Sequence, residues 1–221
     1  MNDSSLADLA PSLVEVAVFP LPGLVFFPNS KQHLHIFEPR YVTMLKDVMA
    51  GSRLLAMALI EDRPKLNADG NPVFAPVGCI GRVVEHQPLP DGRSNILLLG
   101  LARVRLDELN SRGPYRRAKA TLLKDVAVNV PDTDRAALVT TAAAYASDVH
   151  RRDPRFSFSV QPNLDTGDLA DQCAHQLVLS ARVRQGILET PNPAARTRIV
   201  IQEIAYQHAG MVPDSLGGVL H

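Results

Sequence analysis

The chain has 221 residues, 46% of them hydrophobic, with 23 basic and 23 acidic side chains. That is enough apolar material for a real core, in one large domain or two small ones. A formal net charge of zero argues against a nucleic-acid binder working by bulk charge. No uninterrupted apolar run approaches the roughly 20 residues of a membrane helix. Cys79 and Cys173 have no CxxC partners, so no disulfide framework is expected and a reducing cytoplasm suits the chain. The start, MNDSSLADLAPSL, carries acids and no basic residue, unlike a signal peptide. Residues 1–13 are expected to form a flexible arm.

Val16 to Phe19 is a short apolar strand, expected to stop at Pro20, because proline has no N–H for a ladder. Pro20, Pro22 and Pro28 then fence a loop that contains Gly23, Phe26 and Phe27. His33 to Phe37 reads as a second strand, with Leu34 and Ile36 on one face and His33 and His35 on the other. Glu38-Pro39 opens a helix over residues 39–50, since proline suits the first helical position. Tyr41, Val42, Leu45, Val48 and Met49 give it an apolar face, and Gly51 is its expected stop. Arg53 to Ile60 has the length of a buried strand, although its Ala, Leu and Met also tolerate helix. The stretch EDRPKLNADGNP is loop, with a tight turn expected at Asp69-Gly70.

Val73 to His86 reads as a long strand bent at Pro76, Gly78 and Gly81. A turn at Asp91-Gly92 returns it into Ser94–Leu99. Ile96 to Leu99 is apolar throughout, as in a strand covered on both faces. Beyond Gly100, Ala102, Val104 and Leu106 alternate with Arg103, Arg105 and Asp107, the pattern of a half-exposed strand. Asn110 to Pro114 turns into a last strand ending at Leu123, with Ala118, Ala120 and Leu122 inward. Short strands broken by Gly and Pro predict a closed or nearly closed β-structure.

After Asp125 the pattern turns helical. Asp132 is the expected cap of a first helix whose stripe is Leu138, Val139, Ala142, Tyr145, Ala146 and Val149. Asp168 is the expected cap of a second, with Leu169, Cys173, Leu177 and Val178 inward. Ser180 caps a third, and Asn192-Pro193 opens a fourth carrying Ile199, Ile201, Ile204 and Ala205. The expected division is a β-rich unit over residues 14–125, a helical bundle over 131–209 and a tail over 210–221. Strands followed by helices predict an α+β fold.

Several of these segments together resemble the N-terminal domain of the Lon protease family. They are Phe19-Pro20-Leu21, Phe27-Pro28, the run from Leu34 through Tyr41 (LHIFEPRY), Val77-Gly78 through Ile80-Gly81, Leu89-Pro90-Asp91-Gly92 and Gly100-Leu101. The resemblance implies a PUA-like twisted β-barrel followed by a helical bundle. It also implies a non-enzymatic module that binds protein segments or unfolded polypeptide, here as a free-standing copy.

The residues themselves supply no catalytic constellation. There is no GxxxxGK[ST], GxSxG or HExxH in the sequence, so neither an ATPase nor a peptidase portion is read, and no cofactor or metal is called for. His33 and His35 lack an adjacent third ligand. Asp171 and His175 share a helix face and are read as an intrahelical polar pair. Cys79 is read as a small buried residue.

The candidate binding residues are Phe26, Phe27, Glu38, Arg40, Arg103 and Arg105. Phe26 and Phe27 either plug the barrel or present an apolar surface. Glu38 and Arg40 either pin the helix to the barrel or mark a recognition point. Arg103, Arg105, Arg116 and Arg117 are either a solvated face or a basic stripe. The functional reading is a polypeptide-binding module, compatible with weak homo-oligomerisation. An RNA- or small-ligand-binding module is the first alternative, and a small hydrolase using Cys79 or the histidines is the second.

Overall fold

A computed structural model describes residues 13–67, 70–110, 113–161 and 163–211. Residues 1–12 of the expected arm, most of the tail, Asp69 of the expected Asp69-Gly70 turn, and Ser111 and Arg112 lie outside the described residues; Leu13, the arm's last residue, is buried against the barrel cluster. Six strands form one sheet: β1 Val16–Pro22, β2 Lys31–Ile36, β3 Leu54–Ile60, β4 Val77–Pro88, β5 Ser94–Glu108 and β6 Arg116–Leu122. Helix α1, Pro39–Ala50, lies between β2 and β3. Four helices follow the strands: α2 Asp132–Arg152, α3 Thr166–Leu177, α4 Ala181–Leu188 and α5 Pro193–Met211.

The long strand β5 organises the sheet. One edge pairs with β4 along most of its length. The other edge pairs with β2 through Ser94–Leu99 and with β6 through Val104–Glu108. Because β4 pairs with β3, β3 with β1 and β1 with β6, the ring closes on β5. The architecture is an α+β fold with a closed, twisted barrel, β2 standing outside the ring as an extra strand on β5. The β1–β3 pair is parallel, since the intervening β2 and α1 supply the crossover that parallel strands need.

Strand β1 runs through Pro20 to Pro22 instead of stopping at Pro20. Its pairing with β6 ends at Val18, while β3 continues beside it to Ile60. The prolines therefore sit where one side of the strand has no partner and a missing N–H costs no ladder bond.

A pair of facing glycines shapes the barrel wall. Gly81 and Gly100 are register partners at a bulge in β4–β5. A Cβ on Gly100 would stand 2.0 Å from the Phe27 carbonyl oxygen, and one on Gly81 would stand 3.0 Å from the Phe26 ring. The notch they leave seats the Phe26-Phe27 loop. Phe26 packs into the cluster under α1, with Ile36, Met44 and Leu98, while Phe27 packs into the helical cluster, with Leu138 and Leu177. Both rings are buried. A third cluster, built from Val18, Ala56, Ile80, Val104 and Ala118, fills the barrel.

The helical half corrects four expectations. Pro131 precedes α2, with Asp132 already inside the helix. Asp165, not Asp168, caps α3, accepting from the Asp168 backbone N–H at 2.8 Å. The side chain three residues upstream is the one that reaches the free N–H groups of a first turn. Val139 is 49% exposed, so the α2 stripe runs through Leu138, Ala142, Tyr145 and Ala146. Helix α5 buries Arg196, Thr197, Val200 and Ile204, leaving Ile199 and Ile201 half-buried and Ala205 exposed. Ser180 and Asn192 do cap their helices.

Candidate functional site

Arg103 is not on the surface. It is 5% exposed, and its guanidinium donates to the Leu188 carbonyl oxygen at 3.1 Å and to Asp171 Oδ1 at 2.5 Å. Asp171, fully buried on α3, also faces Arg196 of α5 at 3.0 Å, and Arg196 grips Asp125 through both carboxylate oxygens. The outward face of β5 at Arg103 is covered by helices, so alternation predicts its direction correctly and its exposure wrongly. Burial raises the Asp171 pKa, opposed by Arg103 and Arg196. A buried pair of this kind holds two elements in one arrangement, since removing either charge strands the other. Asp171 and His175 do not form the expected pair.

The remaining arginines make no continuous basic stripe. Arg116 pairs with Glu108 at 2.5 Å, and Arg117 with Glu15 at 2.7 Å; Arg105 is exposed. Arg40 bonds Glu38 at 2.9 Å and lies 4.5 Å over the Tyr41 ring, which itself packs on Phe19 at 4.4 Å. This arrangement ties the start of α1 to β1. Both thiols are deeply buried, and burial pushes each up to about 12, so neither is a thiolate near neutrality. His175 sits edge-on to Phe26 and Phe27, its pKa lowered chiefly by burial. Among the described residues no three His, Cys, Asp or Glu side chains gather as a metal site.

What stands open is β2. Among the described residues it pairs with β5 alone, so its outer edge carries no strand. The pairing pattern shows which backbone groups face outward. Gly100 N–H donates to the Ser30 carbonyl oxygen at 2.9 Å, and Asn29 N–H to the Gly100 carbonyl oxygen at 2.9 Å. Antiparallel ladders alternate between bonded and non-bonded pairs. The regular register then places Gln32–Leu98, Leu34–Ile96 and Ile36–Ser94 as bonded pairs. His33 and His35 therefore turn their N–H and C=O groups away from β5.

The side chains around this edge are mixed. His33, His35 and Phe37 share one face by alternation, and Phe37 is 61% exposed and stacked on the His35 ring at 5.9 Å. His35 Nδ1 lies 2.7 Å from Asn95 Oδ1, and Asn95 Nδ2 donates to Gln87 Oε1 at 3.5 Å, a polar row across three strands. A shallow groove of about 650 Å³ runs over this face. Phe37 was legible in the sequence as the last residue of that strand, on the histidine face by alternation, but it is not among the candidate binding residues read from the sequence. Asp171 and Arg196 left a fainter trace, as charged residues on helix faces otherwise apolar.

Comparison with known proteins gives one answer. The family described as the ATP-dependent protease La (LON) substrate-binding domain matches residues 15–205. The Lon protease of Brevibacillus choshinensis is 26% identical over 85% of this chain, and Lon protease 1 of Herpetosiphon aurantiacus is 28% identical over 80%. The chain spans about a quarter of those relatives, 24% and 22% of their lengths. Among solved structures, the N-terminal domain of a Mycobacterium avium complex Lon protease shares the fold. Its TM-score is 0.60 at 14% identity, covering 86% of this chain and 98% of that one. A Lon N-terminal domain protein from Xanthomonas campestris aligns with a TM-score of 0.58 at 19% identity, over 90% of this chain and 99% of that one. With the closed barrel, the docked helices and a match over residues 15–205, the chain belongs to the Lon substrate-binding domain family.

Proposed function

We propose that this protein binds extended or unfolded polypeptide by strand addition at the outer edge of β2. The unpaired edge carries the reading: His33 and His35 turn backbone donors and acceptors outward, the His33 carbonyl accepting from the exposed Gln32 side chain at 3.0 Å, and Phe37 supplies an exposed ring beside them. An added strand satisfies such groups in register, while alternate side chains of the guest meet Phe37, Leu34 and the histidine face. The backbone contacts are blind to sequence, which suits a binder of many clients. Membership of a family described as the Lon substrate-binding domain supports substrate binding in general.

The test is isothermal titration with a reduced, carboxymethylated and therefore unfolded protein. Binding is expected at about micromolar affinity or weaker. His33→Pro removes an outward N–H without touching a β5 ladder bond, and it is expected to weaken binding about tenfold while the melting temperature moves little. Absence of heat with several unfolded proteins sinks the reading, as does a His33→Pro variant that binds like the parent.

A further inference from the structure

His33 and His35 stand two residues apart on β2, both exposed and on the same side of the strand. His35 Nδ1 lies 2.7 Å from Asn95 Oδ1, and the Asn95 amide is itself turned by its Nδ2 donating to Gln87 Oε1. An amide oxygen accepts and cannot donate, so this bond fixes the His35 tautomer as Nδ1–H. The lone pair then sits on Nε2, across the ring from Asn95 and so directed away from β5. A ring held from behind by an amide or carboxylate oxygen is the usual setting of a metal-binding histidine. The His33 ring has no hydrogen-bond partner among the described residues, which leaves its nitrogens available.

Two imidazoles are half of a closed metal site. Zinc takes four ligands there, and among the described residues of one chain no third His, Cys, Asp or Glu gathers with this pair. A second copy laid along the strand edge supplies the rest. The outward backbone groups belong to the odd-numbered residues, because Gln32, Leu34 and Ile36 turn theirs to β5. A two-fold antiparallel pairing must therefore set odd against odd. Centred on Leu34, it sets His33 of each copy opposite His35 of the other, and Lys31 beside the exposed Phe37 ring. Moving the centre by one residue leaves a histidine of each copy facing Lys31 or Phe37 instead. Opposite Cβ atoms stand about 4.5–5.5 Å apart and alternate ones on a strand about 6–7 Å. Four imidazoles at such corners converge on one ion at about 2.0–2.1 Å. Gln32 Nε2, which donates to the His33 carbonyl oxygen at 3.0 Å in an exposed bond, is replaced there by a backbone N–H.

From an imidazole pair on an unpaired edge, one ring oriented from behind, we infer that β2 pairs with β2 of a second copy around one divalent transition-metal ion, zinc in the first instance, held by His33 and His35 of each chain. Imidazole nitrogen suits zinc, copper and nickel. Neither chain completes the ligand set alone, and the edge-to-edge contact is short, so the ion and the pairing each require the other. The backbone groups that join the two copies are those offered to a guest strand in the reading proposed above, so the metal-bridged pair closes the polypeptide edge. The dimer does not rest on that reading; only the competition does.

The test is sedimentation velocity of the full chain, with zinc chloride as the probe and EDTA as the metal-free arm. A dimer holding one zinc per two chains is expected with the metal, and a monomer in EDTA. His33→Ala and His35→Ala, both at exposed positions, are each expected to abolish the zinc-dependent dimer while the melting temperature in EDTA stays unchanged. His150→Ala, on α2, is expected to leave the dimer intact. Asn95→Ala keeps both ligands and is expected to raise the zinc needed for half-dimerisation by about tenfold or more, because it releases the His35 ring from behind. Strand addition is read separately, by titrating unfolded protein into the chain in EDTA, and zinc is expected to weaken that binding. A monomer at saturating zinc, a zinc dimer that survives His33→Ala and His35→Ala, or a zinc dimer that binds unfolded protein as tightly as the metal-free chain does, overturns the inference.

Discussion

Arg103 and Asp171 illustrate how a single contact changes the meaning of a residue. Each is an ordinary charged side chain in sequence, and in the fold they are 5% and 0% exposed and bonded to each other. Truncating one strands the other, so Asp171→Ala is expected to cost about 3–5 kcal/mol, measured as a fall in the urea midpoint at constant slope. Asp168 behaves differently. Burial, then the nearby Asp165 and Asp171, push its carboxyl up from 3.8 to about 6. The folded state then holds this proton more tightly than the unfolded chain does, so this group's contribution to stability falls as pH rises between 3.8 and about 6. Asp168→Asn is expected to remove that decline, making the variant more stable than the parent at pH 7 and no better at low pH. Urea midpoints at several pH values check this; a parent and variant with parallel pH profiles contradict it.

At the scale of elements, the barrel depends on where backbones can approach. Gly100 leaves no space for a methyl, with Phe27 O only 2.0 Å from the position of a Cβ. Gly100→Ala is expected to force the Phe26-Phe27 loop off the wall and to cost about 1–3 kcal/mol or more. Leu98, fully buried beside it, is expected to cost about 2–5 kcal/mol as alanine. A melting temperature unmoved by either change is incompatible with the β4–β5 register described. Strand β2 is the contrasting element. Its inner backbone groups serve β5, and its outer ones face away from any described strand. Hydrogen exchange is expected to be faster at the His33 and His35 amides than at Gln32 and Leu34, and to slow at those two when unfolded polypeptide binds.

Across the whole molecule, the helices and the barrel share a core. Val25, Phe27, Leu59 and Val77 from the β-rich part lie in one cluster with Leu138, Leu177, Ile187 and Val200. Gln172 donates to the Asn29 carbonyl oxygen at 3.0 Å, and Arg184 to that of Gly23 at 2.9 Å, which fastens the loop before β2 to the helices. Continuous burial of this kind favours a single cooperative transition. Far-ultraviolet and tyrosine near-ultraviolet signals are expected to give coincident urea curves. Two separated curves instead support independent folding of residues 14–125 and 131–209.

The strand and helix order, the helix opened by Pro39, the Asp91-Gly92 turn and the burial of Leu98 were all legible from the residues, because alternation, helical spacing and turn chemistry act over a few neighbours. The motif from Leu34 to Tyr41 carried the family for the same reason, being a local pattern. Which strand closes the ring, what covers Arg103, and why β1 passes through two prolines depend on partners far away in the chain, such as Leu55 beside Ala17 and Asp171 beside Arg103. Side-chain direction is set locally, whereas exposure is set by whatever packs on that face, and only the tertiary structure supplies the second.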